Sequence, residues 1–182
     1  MSDNNREIEK KYLVASNEWM NLVTGSQLIY QGYFFHNEER KRIRLLPEEH
    51  KAILGFKGEG VMIDGFIERE EIENEIDYSE GISKIALCAQ VIMKNRFFVP
   101  FGEFTFEVDQ FLNLKNPLVS AEVEVKREQI ATFNQLVLPA WVGEDVSASH
   151  EYQNSVLVKQ SLNTGSQIAS ELKESLHKKP KP

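Results

Sequence analysis

Polar and apolar residues alternate along much of the chain, and this pattern predicts β-strands. From Phe104 to Asp109, for example, apolar residues alternate with Thr105, Glu107 and Asp109. Successive side chains of a strand point to opposite faces, so each such segment has one apolar and one polar face. The pattern predicts eight strands, at residues 6–14, 27–36, 40–46, 51–57, 65–77, 91–99, 102–109 and 119–125.

Two stretches between these strands follow a helical period instead. Ser16 or Asn17 can begin a short helix that runs through Val23, and a longer helix begins at Ser79 or Glu80. Many strands with only two or three helices are typical of an antiparallel sheet that closes into a barrel. We therefore expect a mainly β protein of the α+β class, with a few helices packed outside the barrel.

Length and composition fit one domain followed by a tail. The chain has 182 residues, of which 41% are hydrophobic and 27% are charged. We place the domain at residues 1–160 and the tail at 161–182. In the tail, Ile168, Leu172 and Leu176 fall at helical spacing and predict a short helix, and the lysine- and proline-rich end beyond it is predicted to be disordered.

The chain has the features of a cytoplasmic protein. Cys88 is its only cysteine, so no disulfide can form within the chain, and its apolar neighbours predict a buried, inert thiol. The polar N-terminus does not resemble a signal peptide, and no apolar run approaches the roughly 20 residues of a membrane helix. The net charge of −7 argues against nucleic-acid binding. It still allows a small polyanion, because bound divalent cations can invert the local charge.

The polar faces of the strands are unusual because like charges repeat along them. The first strand carries Glu7, Glu9 and Lys11 on one face. Alternation in a single strand usually means that one face is solvated. Here, however, like charges at i and i+2 lie about 7 Å apart, and a solvated face has no need of such repulsion. The other strands carry Arg40, Arg42 and Arg44; Lys57; Arg69, Glu71, Glu73 and Glu75; Lys94 and Arg96; Glu107 and Asp109; and Glu122 and Glu124.

Segregated acidic and basic faces suit the binding of phosphates together with metals. If these faces line one concave space, the carboxylates can hold divalent cations and the basic residues can hold phosphate groups. Phosphoryl transfer depends on such positioning and neutralisation rather than on protein covalent chemistry. The chain has no Walker-type glycine loop, no His/Cys metal motif and no nucleophilic serine motif, and its histidines are scattered at positions expected on the surface: His36, His50, His150 and His177.

The order of these charged motifs resembles that of the CYTH superfamily, also called the triphosphate tunnel metalloenzymes. The first match is Glu7-x-Glu9-x-Lys11 at the N-terminus, and the resemblance extends over residues 6–158. The motifs that follow are Gln31-Gly32-Tyr33, Arg42-x-Arg44, Phe56-Lys57-Gly58, Arg69-x-Glu71-x-Glu73-x-Glu75, Lys94-x-Arg96, Glu107-Val108-Asp109, Ala121-Glu122-Val123-Glu124, Trp141-x-Gly143-x-Asp145-Val146-Ser147 and Tyr152-x-Asn154-Ser155-x-Leu157.

The resemblance implies an eight-stranded antiparallel barrel that forms a closed tunnel, with a triphosphate bound inside and Mg²⁺ or Mn²⁺ as cofactor. It implies that a metal-positioned water attacks the terminal phosphorus. It assigns Glu7, Glu9, Asp109, Glu122 and Glu124 to the metal, with Glu107 as a candidate to assist. It assigns Lys11, Arg42, Arg44, Lys57, Arg69, Lys94 and Arg96 to the phosphates, and Lys94, Arg96, Glu71 and Glu73 to catalysis.

The leading hypothesis is a short bacterial-type inorganic triphosphatase that acts on tripolyphosphate as a monomer or homodimer, without nucleic-acid or membrane partners. A class IV-type adenylyl cyclase and a thiamine or nucleoside triphosphatase stay open, although we find no clear base-recognition motif. A non-catalytic polyphosphate- or nucleotide-binding module is a further alternative, and the intact glutamate pairs argue against it. The chain departs from the family pattern at Val146-Ser147 and Glu151-Tyr152, in a segment that can close over the tunnel mouth.

Overall fold

The eight predicted strands all form, and they make up a closed barrel. The computed structural model describes residues 5–177. The strands of the barrel are β1 (Arg6–Val14), β2 (Gly25–His36), β3 (Glu39–Leu46), β4 (Lys51–Lys57), β6 (Phe66–Ile76), β7 (Val91–Phe101), β8 (Phe104–Phe111) and β9 (Val119–Glu124), and two further short strands are β5 (Val61–Ile63) and β10 (Val142–Asp145).

The first strand closes the barrel because it pairs on both sides. Its neighbours are β9 and β6, and the ring runs β1-β9-β8-β7-β2-β3-β4-β6 and back to β1. All of these pairings are antiparallel. Strand β5 pairs with β6 and β10 pairs with β1, so both lie at the margin of the ring. The predicted closed antiparallel barrel is therefore confirmed.

The helices are short and lie between the strands. The α-helices are α1 (Tyr78–Ile85), α2 (Ile130–Phe133), α3 (Asn154–Leu157) and α4 (Gly165–His177), and the 3₁₀ helices are Glu18–Leu22, Pro47–Glu49, Arg127–Gln129, His150–Tyr152 and Val158–Gln160. Asp77 caps α1 by accepting a hydrogen bond from the backbone N–H of Glu80 at 3.0 Å. Within residues 5–177, no helix is long and apolar enough to span a membrane.

The apolar core lies outside the barrel, between its outer face and the covering segments. On one side Tyr12, Phe106 and Val123 pack with Trp141 and Phe133. On the opposite side α1 and α4 cover a second cluster, which includes Ile43, Leu45, Ala52, Ile82, Ile85, Cys88, Ile168 and Leu172. The apolar faces of the strands therefore point outwards into this core, and their charged faces point into the barrel.

Cys88 packs closely against Gly32 on the outer face of the barrel. The thiol is buried, as predicted, and burial raises the pKa of Cys88 to about 12. Strand β2 comes so close that a Cβ atom on Gly32 would lie 2.6 Å from the Cys88 sulfur. A side chain at position 32 would push β2 away from Cys88. The glycine in the middle of the motif Gln31-Gly32-Tyr33 therefore permits this close packing.

The structure departs from the sequence analysis in short elements and at element ends. Strands β5 and β10 were not predicted, because three or four residues are too few for an alternation to stand out. The helix near Ser16 is a 3₁₀ helix, and α1 begins at Tyr78 rather than at Ser79 or Glu80. The residues beyond 177, predicted to be disordered, lie outside the described part of the chain.

Helix α4 packs into the fold rather than standing apart from it. Ile168 and Leu172 are buried against α1, whereas Leu176, the third member of the predicted stripe, is 46% exposed. Asn113 connects the preceding segment to the barrel, because its amide donates to the carbonyl of Val91 at 2.8 Å and to the Ser161 hydroxyl at 2.9 Å. The boundary at residue 160 stays a prediction.

We predict that Leu172→Ala lowers the free energy of unfolding by about 2–5 kcal/mol, because it leaves a cavity in a packed cluster. Leu176→Ala, one helical turn further on, is the matched control and should change it by less than about 0.5 kcal/mol. Chemical denaturation of the two variants measures the difference. Equal stabilities would show that α4 does not hold the outer layer in place.

Candidate active site

The charged faces line the inside of the barrel and neutralise one another there. Every residue that the resemblance assigns to metal, phosphate or catalysis lies on an inward face, because along its strand it alternates with the face whose residues belong to the outer core. The structure brings the acidic and basic strands together in two linked clusters. These positions are observations, and the individual roles stay predictions.

Asp109 is the centre of the first cluster. It is fully buried, and the ammonium of Lys94, itself fully buried, donates to it. Arg96 donates to both oxygens of Asp109, from Nε at 2.7 Å and from Nη2 at 2.8 Å. The same guanidinium contacts Glu107, and its Nη2 reaches Glu122 at 3.0 Å. The strand register sets this arrangement, because it places Arg96 directly opposite Asp109 and Glu107 opposite Glu122.

The second cluster forms where β1 meets β6. Arg69 lies opposite Glu7, donates to it from Nε at 3.2 Å, and also contacts Glu9. Lys57 donates to Glu7 at 2.5 Å and lies 3.4 Å from Glu71, its cross-strand neighbour. Barrel closure produces the contacts that Glu7 and Glu9 of β1 make with Arg69 and Lys57, because β1 meets β6 only where the ring closes.

Two arginines of β3 complete the wall. Arg42 is buried and contacts both Glu71 and Glu73. Arg44 lies 3.5 Å from Glu73 and donates to the amide oxygen of Gln31 at 3.4 Å. The predicted catalytic glutamates are thus held by arginines, and they in turn fix the orientation of two guanidinium groups.

The pKa values follow this mutual neutralisation. Burial alone would raise the pKa of Glu7, but Lys57 and Arg69 outweigh it and lower the pKa to about 2. Burial also opposes ionisation of Glu122, yet Lys11 and Arg96 hold the pKa of that carboxyl well below its usual value. For Lys94, burial and then the adjacent Arg96 lower the pKa to about 7.

Glu124 is the exception among the five predicted metal ligands. Unlike Glu7 or Glu122, it forms no ion pair with any described residue. Burial, followed by the nearby carboxylates of Glu7 and Glu107, raises the pKa of Glu124. An acid in this setting gains from a cation, and its carboxylate oxygens are the hard ligands that Mg²⁺ and Mn²⁺ prefer.

The predicted metal ligands are otherwise engaged by protein cations. Within residues 5–177, no three Asp, Glu, His or Cys side chains converge in an arrangement that would hold a metal ion. Asp109 contacts Lys94 and Arg96, and Glu9 contacts Arg69. The chemistry of the donor set fits a divalent cation, while a ready-made coordination sphere is not visible.

A cavity of about 520 Å³ opens at one end of the barrel, and we call this end the basic mouth. Lys11, Arg40, Arg42, Lys57 and Arg69 line it together with Glu9, Glu59 and Glu122. Residues 146–150 and 152–155 cover one side, in the region where the chain departs from the family pattern.

Lys11 ties this covering segment to the barrel. Its backbone N–H donates to the Ser147 hydroxyl at 3.0 Å, and its carbonyl accepts from the N–H of Val146 at 2.8 Å. Its ammonium donates to the carbonyl oxygen of Tyr152 at 2.7 Å and lies 2.9 Å from Glu122. Lys11 therefore links the interior charges to the segment above the mouth.

Sequence reasoning missed several polar groups of the site. Gln31 is fully buried and donates to the Tyr33 hydroxyl at 2.8 Å. Gln31 shares its face with Tyr33 and alternates with Gly32, so the parity of β2 was the available signal of its inward position. Ser120 lies two residues before Glu122 on the same inward face, and its buried hydroxyl has no hydrogen-bond partner among residues 5–177. The predicted surface positions of His36, His50 and His150 are confirmed, and the His177 side chain lies outside the described residues.

The chain is similar in sequence to an inorganic triphosphatase from Acetivibrio thermocellus. The two are 37% identical over 156 residues, which cover 85% of this chain and 94% of the relative. This chain belongs to the CYTH superfamily of triphosphate tunnel metalloenzymes. No family model matches the chain. The family and the assignment to the hydrolases that the sequence motifs predict are confirmed.

Solved structures agree with this CYTH assignment at the level of the fold. The inorganic triphosphatase NE1496 superposes with a TM-score of 0.57 at 24% identity, covering 84% of this chain and 93% of that protein. The protein HpAC1 from Hippeastrum, described as having a dominant triphosphatase activity, superposes with a TM-score of 0.54 at 17% identity, covering 71% and 84% of the two chains. Both share the closed barrel.

Because the pKa of Glu7 is low, we predict how its contribution to the free energy of unfolding changes with pH. An acid whose folded pKa lies below its unfolded value stabilises the fold at high pH, and this contribution is lost as the pH falls. We expect Glu7→Gln to destabilise the CYTH barrel at pH 6, and we expect the deficit relative to wild type to shrink as the pH falls from about 4.5 towards 2. Chemical denaturation along a pH series measures it. A deficit independent of pH would contradict the assigned ion pairs.

Proposed function

We propose that this chain is a metal-dependent inorganic triphosphatase that hydrolyses tripolyphosphate inside the barrel. The observation that carries the proposal is the interior itself, where cations and carboxylates fill the walls and each neutralises the other. A triphosphate supplies negative charge to the cations, and a divalent cation supplies positive charge to the carboxylates. Together they can replace internal ion pairs and still give both the cations and the carboxylates a partner of opposite charge.

The basic residues are suited to hold the phosphate groups. Arginine forks can bind phosphate oxygens in a bidentate manner, and lysines act as point charges. In the proposed complex, Lys11, Arg42, Lys57 and Arg69 bind the chain of phosphates from the basic mouth inwards, and Arg44 and Arg96 contact it deeper in the barrel. Lys94 lies at the most enclosed position and neutralises charge that develops in the transition state.

The carboxylates are suited to hold the metal. Glu124 has no cationic partner among the described residues, so it can bind a metal ion without first releasing a lysine or an arginine. In the proposal Glu7, Glu9, Asp109 and Glu122 join it, with Glu107 nearby. The bound Mg²⁺ or Mn²⁺ would neutralise phosphate oxygens and activate the attacking water. Glu71 and Glu73 keep Arg42 and Arg44 oriented towards the interior.

The proposal extends to the setting of the enzyme. We infer a cytoplasmic enzyme that works on a small-molecule triphosphate, without nucleic-acid or membrane partners, as a monomer or homodimer. The single buried thiol of Cys88 and the net charge of −7 support this inference.

Phosphate release tests the proposed reaction directly. Tripolyphosphate, ATP and thiamine triphosphate are each offered with Mg²⁺, with Mn²⁺ or with chelator, and cyclic AMP is measured in the ATP reactions. We expect fast release from tripolyphosphate that disappears in chelator. Cyclic AMP from ATP without phosphate release would identify a cyclase instead, and no product from any substrate would favour a binding module.

The unpaired state of Glu124 gives a sharper test of the metal assignment. We expect Glu124→Gln to lower turnover by on the order of 10²-fold and to raise the metal concentration needed for half-maximal activity. The free energy of unfolding should change little, because the variant breaks no ion pair between described residues. Glu128→Gln, a nearby exposed glutamate, is the control. Unchanged metal dependence in Glu124→Gln would remove this residue from the metal site.

A further inference from the structure

The two ends of the barrel carry opposite charge. On β6, Ile67 and Arg69 line the cavity at the basic mouth, whereas Glu73 and Glu75 lie further along the strand on the same face. On the antiparallel neighbour β1 the order is reversed, since Lys11 lines the cavity and Glu7 lies towards the other end. We call this other end the acidic mouth, and it is formed by Glu73, Glu75, Glu107 and Glu124.

Arg40 is distinct among the cations of the basic mouth. It is exposed, it lines the cavity, and it forms no ion pair with any residue in the described range 5–177. By contrast, Lys11 is paired with Glu122, and Lys57 with Glu7. The guanidinium of Arg40 lies 5.8 Å from the centre of the Tyr33 ring, which holds it at the rim without neutralising it.

An unpaired cation and a paired one behave differently towards an incoming anion. Lys11 or Lys57 must release a carboxylate before it can bind a phosphate group. Arg40 has no such partner to release, so its full charge attracts an anion from the surrounding water. The planar fork of its guanidinium also matches a terminal phosphate group.

We propose that Arg40 is the capture residue of the enzyme, and that the triphosphate enters through the basic mouth. This inference rests on the proposed function. Arg40 binds the incoming phosphate chain first, and the paired cations deeper in the barrel then exchange their carboxylates for phosphate oxygens in turn. At the acidic mouth, Glu75 and Glu124 form no ion pair with a described residue, so their charges repel the same anion and this end does not serve as its entrance.

Steady-state kinetics with tripolyphosphate distinguish capture from catalysis. We expect Arg40→Gln to raise KM about tenfold at low ionic strength while kcat changes by less than about threefold. The difference in KM between Arg40→Gln and wild type should shrink at high salt, because the Debye length falls to about 3 Å at 1 M ionic strength. Arg40→Lys keeps the positive charge, so its KM should stay close to that of wild type.

Two control variants test whether the effect on KM depends on where the removed charge lies. Lys51→Gln removes one positive charge at the far end of β4 from Lys57 and should leave KM unchanged. Glu75→Gln removes a negative charge from the acidic mouth and should also leave KM unchanged. A lower KM in Glu75→Gln together with no effect in Arg40→Gln would overturn the proposal, because it would identify the acidic mouth as the entrance.

An equilibrium measurement in chelator gives a second readout that does not require turnover. Tripolyphosphate should raise the melting temperature of wild type and Lys51→Gln, and should do so less for Arg40→Gln. Equal shifts in all three proteins, or a fall in kcat without a change in KM, would exclude a capture role. If wild type hydrolyses tripolyphosphate while Arg40→Gln matches Lys51→Gln, the capture role fails and the proposed function stands.

Discussion

The structure depends on the cancellation of charge inside a closed barrel. The inner faces of the strands carry rows of acids or rows of bases, and neither kind could be enclosed alone, since an unpaired buried ion costs several kcal/mol. The β7–β8 pairing places Arg96 against Asp109, and closure of the ring places Arg69 against Glu7, so that each row meets its opposite. The apolar residues are thereby left to the outer face, and the hydrophobic core forms outside the barrel.

This inverted arrangement joins stability to function. In an ordinary enclosed barrel the interior is filled by apolar side chains, which have no use for an ionic ligand. Here the groups that satisfy one another in the interior are also the groups that can bind a metal–triphosphate complex. Buried ion pairs contribute little net stability compared with apolar packing, so exchanging them for ligand contacts is energetically modest. The outer clusters around Phe106 and Ile43 supply the packing that the interior lacks.

The sequence could predict the strands but not all of the site. Alternation indicated each of the eight barrel strands, because one apolar face had to meet the outer core. It could not indicate that Lys94 and Arg96 would both hold Asp109, since that depends on register between β7 and β8. The packing of α4 was likewise underestimated, because Ile168 and Leu172 make a short apolar stripe whose value depends on α1, nearly 90 residues earlier. Arg40 was read as one member of a basic row, and only the ion pairs of the other cations set it apart.

The pairing of β1 also fixes when the barrel can form during synthesis. In the backbone register of β1 and β9, Glu9 lies opposite Glu124. The first barrel strand to be synthesised therefore cannot complete the ring until the last one, β9, has been made. Contacts so distant in sequence are slow to form, because a long loop has to close first. Until then the charged faces are hydrated and free. The desolvation of the whole ionic interior therefore falls on a late step of folding, and the nascent chain remains open along one seam until β9 is available.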